Sequence, residues 1–302
     1  MDSPFLALEE LKSLVDPEDL YYLNGVALFK AGSVDRVKYA SFVKRAGKVV
    51  AIVNDIDEAI SDLKGSCYSV RADSVMASDK GRVEVELAKL RKVVKFSREC
   101  KTLDMVFTEG LIILGERTAE RDNESLLVHA KKPFSQSGTL SVDLARVLVN
   151  LARSRGSVYD PFVGLGGVLI EAAWEGLECY GSDVDLKALR KAAVNLSSFG
   201  YDCELFQADA TLRDLREVEA IATDPPYGRS VRVEAKDLIA LYEGFFSTAS
   251  EMLKKGGRLA FVTDSKLWFY DVLKGLGLRV LSISKVYEHK SLTRAVYVVE
   301  RA

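Results

Sequence analysis

No apolar run in this 302-residue chain approaches the roughly 20 residues that a membrane helix needs. The N-terminus, Met1-Asp2-Ser3-Pro4 with Glu9 and Glu10 close behind, has neither the basic flank nor the apolar core of a secretory leader. A cytoplasmic location is the default expectation. Metal ligands are scarce too: two histidines, His129 and His289, and four cysteines, Cys67, Cys100, Cys179 and Cys203, with no Cys-x-x-Cys spacing. That argues against a zinc site, and the sulfurs are expected as separate thiols in a reducing compartment. Repeats and low-complexity tracts are missing. A net charge of −2 does not announce a polyanionic partner. What remains is ordinary for a globular protein, 48% hydrophobic and 28% charged, with a length that suits about two domains.

The charge is unevenly spread. Between Lys80 and Lys101, eight basic residues (Lys80, Arg82, Lys89, Arg91, Lys92, Lys95, Arg98, Lys101) stand against three acids (Glu84, Glu86, Glu99). Such a stripe either neutralises phosphates or is a solvated helix face. Residues 1–60 mix a helical pattern, Leu6 to Leu14, with short apolar strands, Ala27 to Phe29 and Val49 to Val53. Residues 80–95 read as a basic helix. Lys92 to Ser97 and Met105 to Leu114 are strand-like, with Thr108-Glu109-Gly110 as a turn. The polar stretch Glu116 to Ser125 looks like a linker, and Lys131 to Gly138 leads into a helix from about Val142 to Arg153.

From Ser157 the pattern changes to alternating strands and helices. Strands are expected at 157–160, 178–183, 204–208, 219–224, 258–263, 279–286 and 295–299, with helices at 167–175, 186–199, 236–254 and 267–274. Repeated βαβ units imply a parallel, doubly wound sheet. The last two strands have no helix between them and should form an antiparallel edge.

Ligands in such sheets bind beyond the carboxyl ends of the strands, and unusual residues fall there. The first strand runs into Asp160-Pro161-Phe162-Val163-Gly164-Leu165-Gly166-Gly167, whose glycines permit a tight turn and close approach of a ligand. A glycine turn alone also suits a dinucleotide, but this one opens with Asp-Pro-Phe and lacks a third glycine three residues after Gly166. The second strand ends at Asp183, which suits the hydroxyls of an adenosine ribose, while Asp185 reads as a helix cap. The third ends at Asp209, an acceptor for an adenine amino group.

The fourth strand ends in Asp224-Pro225-Pro226-Tyr227-Gly228. Two prolines cannot donate ladder hydrogen bonds and they stiffen the loop. They leave the Asp224 side chain and the Pro225 carbonyl as bare acceptors beside an aromatic ring. Two such acceptors would hold the hydrogens of an exocyclic amino group, orient its nitrogen and stabilise positive charge developing there. Tyr227 can stack on a base. His289 reads either as structural or, preceding Ser291, Thr293 and Arg294 near a sheet end, as shaping the base pocket.

These residues carry a family resemblance. Asp160 to Gly167 resembles the Asp-Pro-Phe-x-Gly-x-Gly-Gly loop of Rossmann-like class I methyltransferases, and Asp224 to Tyr227 their (Asp/Asn)-Pro-Pro-Tyr signature. The whole chain resembles the THUMP-containing tRNA guanosine-10 N2-methyltransferases, through Lys132-Pro133-Phe134 with Gly138, the Asp-Pro-Phe loop, and His289-Lys290-Ser291-Leu292-Thr293-Arg294. Val163, Leu165 and Ser137 depart from the family's usual Cys, Thr and Pro. The resemblance implies an α/β catalytic domain at 141–302 and a linker at 126–140. It also implies an N-terminal α+β module, ferredoxin-like and THUMP-type, at 1–125 that binds RNA. It implies S-adenosylmethionine as cofactor, held by Asp160, Phe162, Gly164, Gly166, Asp183, Val184, Asp209 and Ala210. Asp224, Pro225, Pro226 and Tyr227 would be catalytic, and tRNA the partner, with a small activator subunit left open. The competitors are amino-methyltransferases of other RNA guanosines, of DNA adenine, or of protein glutamine, the last favouring Asn at position 224. A non-catalytic RNA-binding protein is the remaining alternative.

Overall fold

A computed structural model describes residues 3–75, 80–136, 138–212, 217–227 and 235–302. The chain forms two compact units. One comprises Met1–Leu14, Tyr39–Phe42 and Asp122–Ala302; the other comprises Val15–Lys38 and Val43–Arg121. This departs from a first domain spanning 1–125, and one side chain shows why. The helix α1 (Pro4–Val15) carries Glu10, fully buried, whose carboxylate accepts from the amides of Ser41 and Phe42 at 2.7 Å each and from Asn150 Nδ2 at 2.8 Å. A buried carboxylate needs such donors, and they lie far away in sequence.

The second unit begins with β1 (Glu18–Leu23) and β2 (Val26–Lys30), an antiparallel pair. Then come β3 (Arg45–Val53), the short α2 (Ile60–Leu63), β4 (Cys67–Ser74), α3 (Lys80–Leu90), β5 (Lys95–Phe96), β6 (Thr102–Thr108) and β7 (Leu111–Glu120). The five strands β3 to β7 form a sheet of order β3-β7-β6-β4-β5. Leu63, Leu90, Leu103, Met105, Phe107, Ile112 and Leu114 fill its core. The turn read at Thr108-Glu109-Gly110 is a tight hairpin, with Glu109 and Gly110 at φ of 49° and 80°.

The stripe of cations is divided by the fold. Lys89 is held by Asp55 and Glu86, which raises its pKa, the Asp55 hydrogen bond contributing most. Arg82 donates to the carbonyls of Asn54 and Gly110. Arg91, Lys92, Lys95 and Arg98 stay exposed.

The stretch read as a linker is structured. Residues through Glu120 pair with β3, and α4 (Asn123–His129) starts at the Asp122 cap. His129 is buried, with Nδ1 2.7 Å from Glu171 Oε1. Glu171 also takes Arg146 Nε at 2.7 Å, and Arg146 lies 3.9 Å from the Trp174 ring centroid. The first part of 126–140 is therefore built into the core of the first unit.

That core continues with α5 (Val142–Ala152), β8 (Ser157–Asp160), α6 (Gly167–Trp174), β9 (Glu178–Asp183), α7 (Leu186–Ser198), β10 (Glu204–Gln207), β11 (Val218–Thr223), α8 (Ala235–Met252), β12 (Leu253–Asp264), α9 (Tyr270–Gly275), β13 (Leu278–His289) and β14 (Leu292–Arg301). The seven strands run in the order β10-β9-β8-β11-β12-β14-β13. The first five are mutually parallel, and β14 is antiparallel to both its neighbours. This is the Rossmann-like sheet with an antiparallel edge that the residues predicted. Apolar residues of α5, α6 and α7 cover one face, and those of α8 and α9 the other.

The cysteine reading is corrected. Cys67 is bonded to Cys100 and Cys179 to Cys203, so none of the four is a separate thiol. Strand register causes the second pairing: Glu204 lies opposite Tyr180, which brings Cys203 beside Cys179. Among the described residues no helix is long and apolar enough to cross a membrane, and no group of metal-ligating side chains could hold an ion.

Candidate active site

From β8 the chain builds outward to β9 and β10, then returns to place β11 on the other side of β8. The strand order reverses between β8 and β11, the place where open α/β sheets bind ligands. Asp160 and Asp224 sit there.

The glycine loop is pinned to β9. Val163 N donates to the Ser182 carbonyl at 3.0 Å, and Gly164 N to Asp183 Oδ2 at 2.9 Å. Gly164 and Gly166 have φ of 49° and 81°, where side chains are disfavoured. A Cβ on Gly166 would also lie 3.3 Å from Ala192 Cβ. Gly166 then caps α6, leaving its first amides at the loop. Phe162 N donates to Asp160 Oδ1 at 3.1 Å, as does Thr223 Oγ1 at 2.6 Å.

Asp183 Oδ1 accepts from Asp185 N at 2.9 Å, and each carboxylate oxygen keeps a lone pair for a further donor. Asp185 caps α7 through Lys187 N, as read. Val184 is exposed next to it. The loop after β10 reaches the same edge, since Ala208 N donates to the Asp183 carbonyl at 3.3 Å. Asp209 is exposed and accepts from Thr211, and Ala210 is buried beneath it.

Asp224, Pro225, Pro226 and Tyr227 follow directly on β11; Gly228, like Ser137 of the lead-in segment, lies outside the described residues. Asp224 Oδ1 is buried and, among the described residues, accepts no hydrogen bond. Its cation is Arg294 of β14, whose Nη1 stands 3.6 Å away. Arg294 is 3% exposed, pairs through Nε with Glu288 at 3.3 Å, and lies over the Tyr227 ring at 5.3 Å. Burial pushes Asp224 up to about 7 against the pull of Arg294, with Glu288 adding to the rise. Burial likewise pushes Asp160 up to about 7, opposed by its bonds from Thr223 and Phe162 and reinforced by Asp224 and Asp183.

Two residues outside the sequence-based site are thereby added. Arg294 was part of the terminal segment, and its signal is the single charge in the largely apolar run Leu292 to Val299. Asn195 of α7 is fully buried. Its Oδ1 accepts from Phe134 N at 2.8 Å, and its Nδ2 donates to the carbonyls of Phe134 (3.0 Å) and Leu165 (2.9 Å). It clamps the lead-in segment to the glycine loop, and nothing in its local sequence marks it. His289 lies exposed where β13 meets β14, with Nδ1 3.1 Å from Ser291 Oγ.

The arrangement is a glycine turn pinned to β9 and opening into α6, three carboxylates converging from β8, β9 and β11, and one buried acceptor without a donor among the described residues. It suits a cationic, hydroxyl-bearing ligand beside a group that brings N–H.

A family described as RMKL-like, methyltransferase domain, matches residues 129–294. The chain is 37% identical over 180 residues to a tRNA (guanine(10)-N2)-dimethyltransferase of Methanothermobacter thermautotrophicus, covering 57% of this chain and 52% of that protein. In this match the chain spans about half the length of its relative. A protein of the same name from Methanocaldococcus jannaschii is 28% identical, covering 98% of this chain and 92% of its own. The crystal structure of TrmN from Thermus thermophilus shares the fold: TM-score 0.54 and 23% identity, covering 100% of this chain and 98% of that one.

Proposed function

The chain belongs to the family of the RMKL-like methyltransferase domain, and from that membership we propose that it methylates the exocyclic N2 amino group of guanosine 10 in tRNA. The cofactor we assign is S-adenosylmethionine. The observation that carries the reading is Asp224 Oδ1, a buried acceptor lacking a hydrogen-bond donor at the strand-order reversal. An amino group would satisfy it.

The residues fit this cofactor. The first amides of α6 offer N–H donors, and the carboxylates of Asp160, Asp183 and Asp209 offer acceptors for hydroxyls and amines, and negative charge for a cation. Phe162, Val184 and Ala210 would flank it. Bound there, S-adenosylmethionine supplies a methyl group on a positively charged sulfur, which leaves as a neutral thioether. Asp224 and the Pro225 carbonyl hold the two N–H groups of the acceptor, so the nitrogen lone pair turns toward the methyl. Charge developing on nitrogen is stabilised by the Asp224 carboxylate, fixed before the reaction starts. The proton released afterwards passes to Asp224 or to water. A monomethylated amine retains one N–H for Asp224, so the site accepts a second methyl, consistent with the names of the two archaeal relatives.

Residues 15–38 and 43–121 we assign to RNA positioning, as a THUMP-type module, on the exposed cations Arg91, Lys92, Lys95 and Arg98. The reaction belongs in the cytoplasm with tRNA. Incubating an unmodified tRNA transcript with enzyme and cofactor, followed by nucleoside mass spectrometry, is expected to place methyl on guanosine N2. Methyl on adenosine, cytidine or a guanosine ring nitrogen refutes the assignment.

A further inference from the structure

The loop after β12 presents aromatic rings that the catalytic site does not use. Trp268 is 63% exposed and Tyr270 40% exposed, and their rings stack with centroids 6.1 Å apart and planes 25° apart. Between them Phe269 is buried and stacks on Tyr242 at 4.4 Å. Lys266 N donates to Asp264 Oδ1 at 3.1 Å and Leu267 N to the Asp264 carbonyl at 2.9 Å. The loop is thus anchored from below, while its two largest rings face water. Exposing so much apolar surface on a fixed loop is costly unless something covers it.

The pair stands on the catalytic side of the sheet. β12 is parallel to β11, with Phe261 opposite Thr223, so the end of β12 lies at the level of Asp224. The β13–β14 hairpin reaches the same end, because Arg294 pairs with Asp264 and Thr293 with Tyr287. Ile283, Lys285 and Tyr287 alternate along β13 on one face, and Ile283 packs into the core beneath α9. Tyr287, 52% exposed, and Lys285 therefore share the sheet face from which the Trp268 loop rises. Lys266 and Lys290 are exposed as well. Of the acids nearby, Asp271 is exposed and Glu288 is paired with Arg294.

We propose that Trp268, Tyr270 and Tyr287, with Lys266, Lys285 and Lys290, form a stacking platform for unpaired nucleotides of the RNA that flank the base being methylated. The proposal rests on the reading of the chain as an RNA methyltransferase. Flat rings beside ammonium groups match a strand with π-faces and a phosphate backbone. RNA readers work in this way on unstacked bases, and a stem opened to present one guanine has such bases next to it. A charged face alone would not place the rings.

The chain has two tryptophans, and the other, Trp174, is packed against Arg146 and the edges of Tyr39 and His129. Both tryptophans emit, but Trp268 is the exposed one, so the part of a tRNA-induced change that is lost in Trp268→Phe reports Trp268. Titration with an unmodified tRNA transcript is expected to quench it, whereas heparin, a polyanion without bases, leaves it unchanged. Trp268→Phe removes the quenching. Trp268→Ala combined with Tyr270→Ala raises KM for tRNA about 5- to 150-fold, the range for losing one stacked base. Calorimetry with S-adenosylmethionine on the same variant confirms its fold. Equal quenching by heparin, quenching that persists in Trp268→Phe, or an unchanged KM overturns the platform and leaves the enzymatic reading intact. Quenching by tRNA with no methyl transfer to any tRNA upholds the platform and overturns the enzymatic reading instead.

Discussion

Replacing Arg294 with methionine tests the electrostatics of the site most directly. Asp224 sits at about 7 with the Arg294 guanidinium 3.6 Å from Oδ1. A cation within this distance lowers a carboxyl by about 1–3 units. Its removal should carry Asp224 upward by that amount, to about 8–10. If the carboxylate form holds the amino group, activity follows the ionised fraction. At pH 7 the rate then falls about fivefold for a one-unit rise and about fiftyfold for two, and recovers on the alkaline side. Stability moves the other way. A carboxyl whose folded pKa lies above its ordinary 3.8 binds its proton more tightly when folded. That contribution is complete below 3.8 and is lost as pH rises through about 7, amounting to roughly 4 kcal/mol. The wild-type fold should therefore be most resistant to denaturant in mild acid, where turnover is weakest. Single-turnover rates of both proteins between about pH 6 and pH 9.5 give the two inflections. An Arg294→Met enzyme that folds, works and keeps the wild-type inflection would refute the proposed coupling.

Further outcomes follow from the same geometry. Asp183→Ala should weaken S-adenosylmethionine binding by about 1.5–3 kcal/mol in calorimetry, and unchanged affinity removes Asp183 from the site. Asn195→Leu leaves the buried Leu165 carbonyl, and the half-buried N–H and carbonyl of Phe134, without this partner. The loss at the Leu165 carbonyl alone should lower denaturant stability by about 1–3 kcal/mol, and a wild-type midpoint would contradict the clamp. Reductant should lower the melting temperature, because closing loops of 33 and 24 residues is each worth about 3–4 kcal/mol. Thiol titration of the unfolded, unreduced chain should find no reactive thiol; four would refute the pairing. Arg91, Lys92 and Lys95 changed to Glu should weaken tRNA binding and flatten its salt dependence, with melting unchanged. Lys89→Glu should instead destabilise the fold, since Lys89 pairs with Asp55 and Glu86, and salt titrations with melting curves separate the two effects.

The elements of the catalytic unit were legible from periodicity because each strand and helix buries a face whose spacing is written locally. The Asp160 to Gly167 turn and the Asp224 to Tyr227 motif were legible for the same reason: glycine and proline constrain the backbone at their own positions. What the tertiary structure decided is who meets whom across the sheet. Register puts Cys203 beside Cys179, although the two cysteines are 24 residues apart and show no motif. Antiparallel pairing of β14 with β12 carries Arg294 to the Asp224 carboxylate from 70 positions downstream. Glu10 draws α1 into the catalytic unit because a buried carboxylate takes its donors wherever the packed chain supplies them. Lys89 and Arg91 look alike in sequence, yet one is locked to Asp55 and the other is exposed to solvent, a difference made by the neighbouring loop. Local residues state which backbone shapes and which chemistry are present; long-range packing sets their distances, and with them the carboxyl pKa values on which the proposed reaction depends.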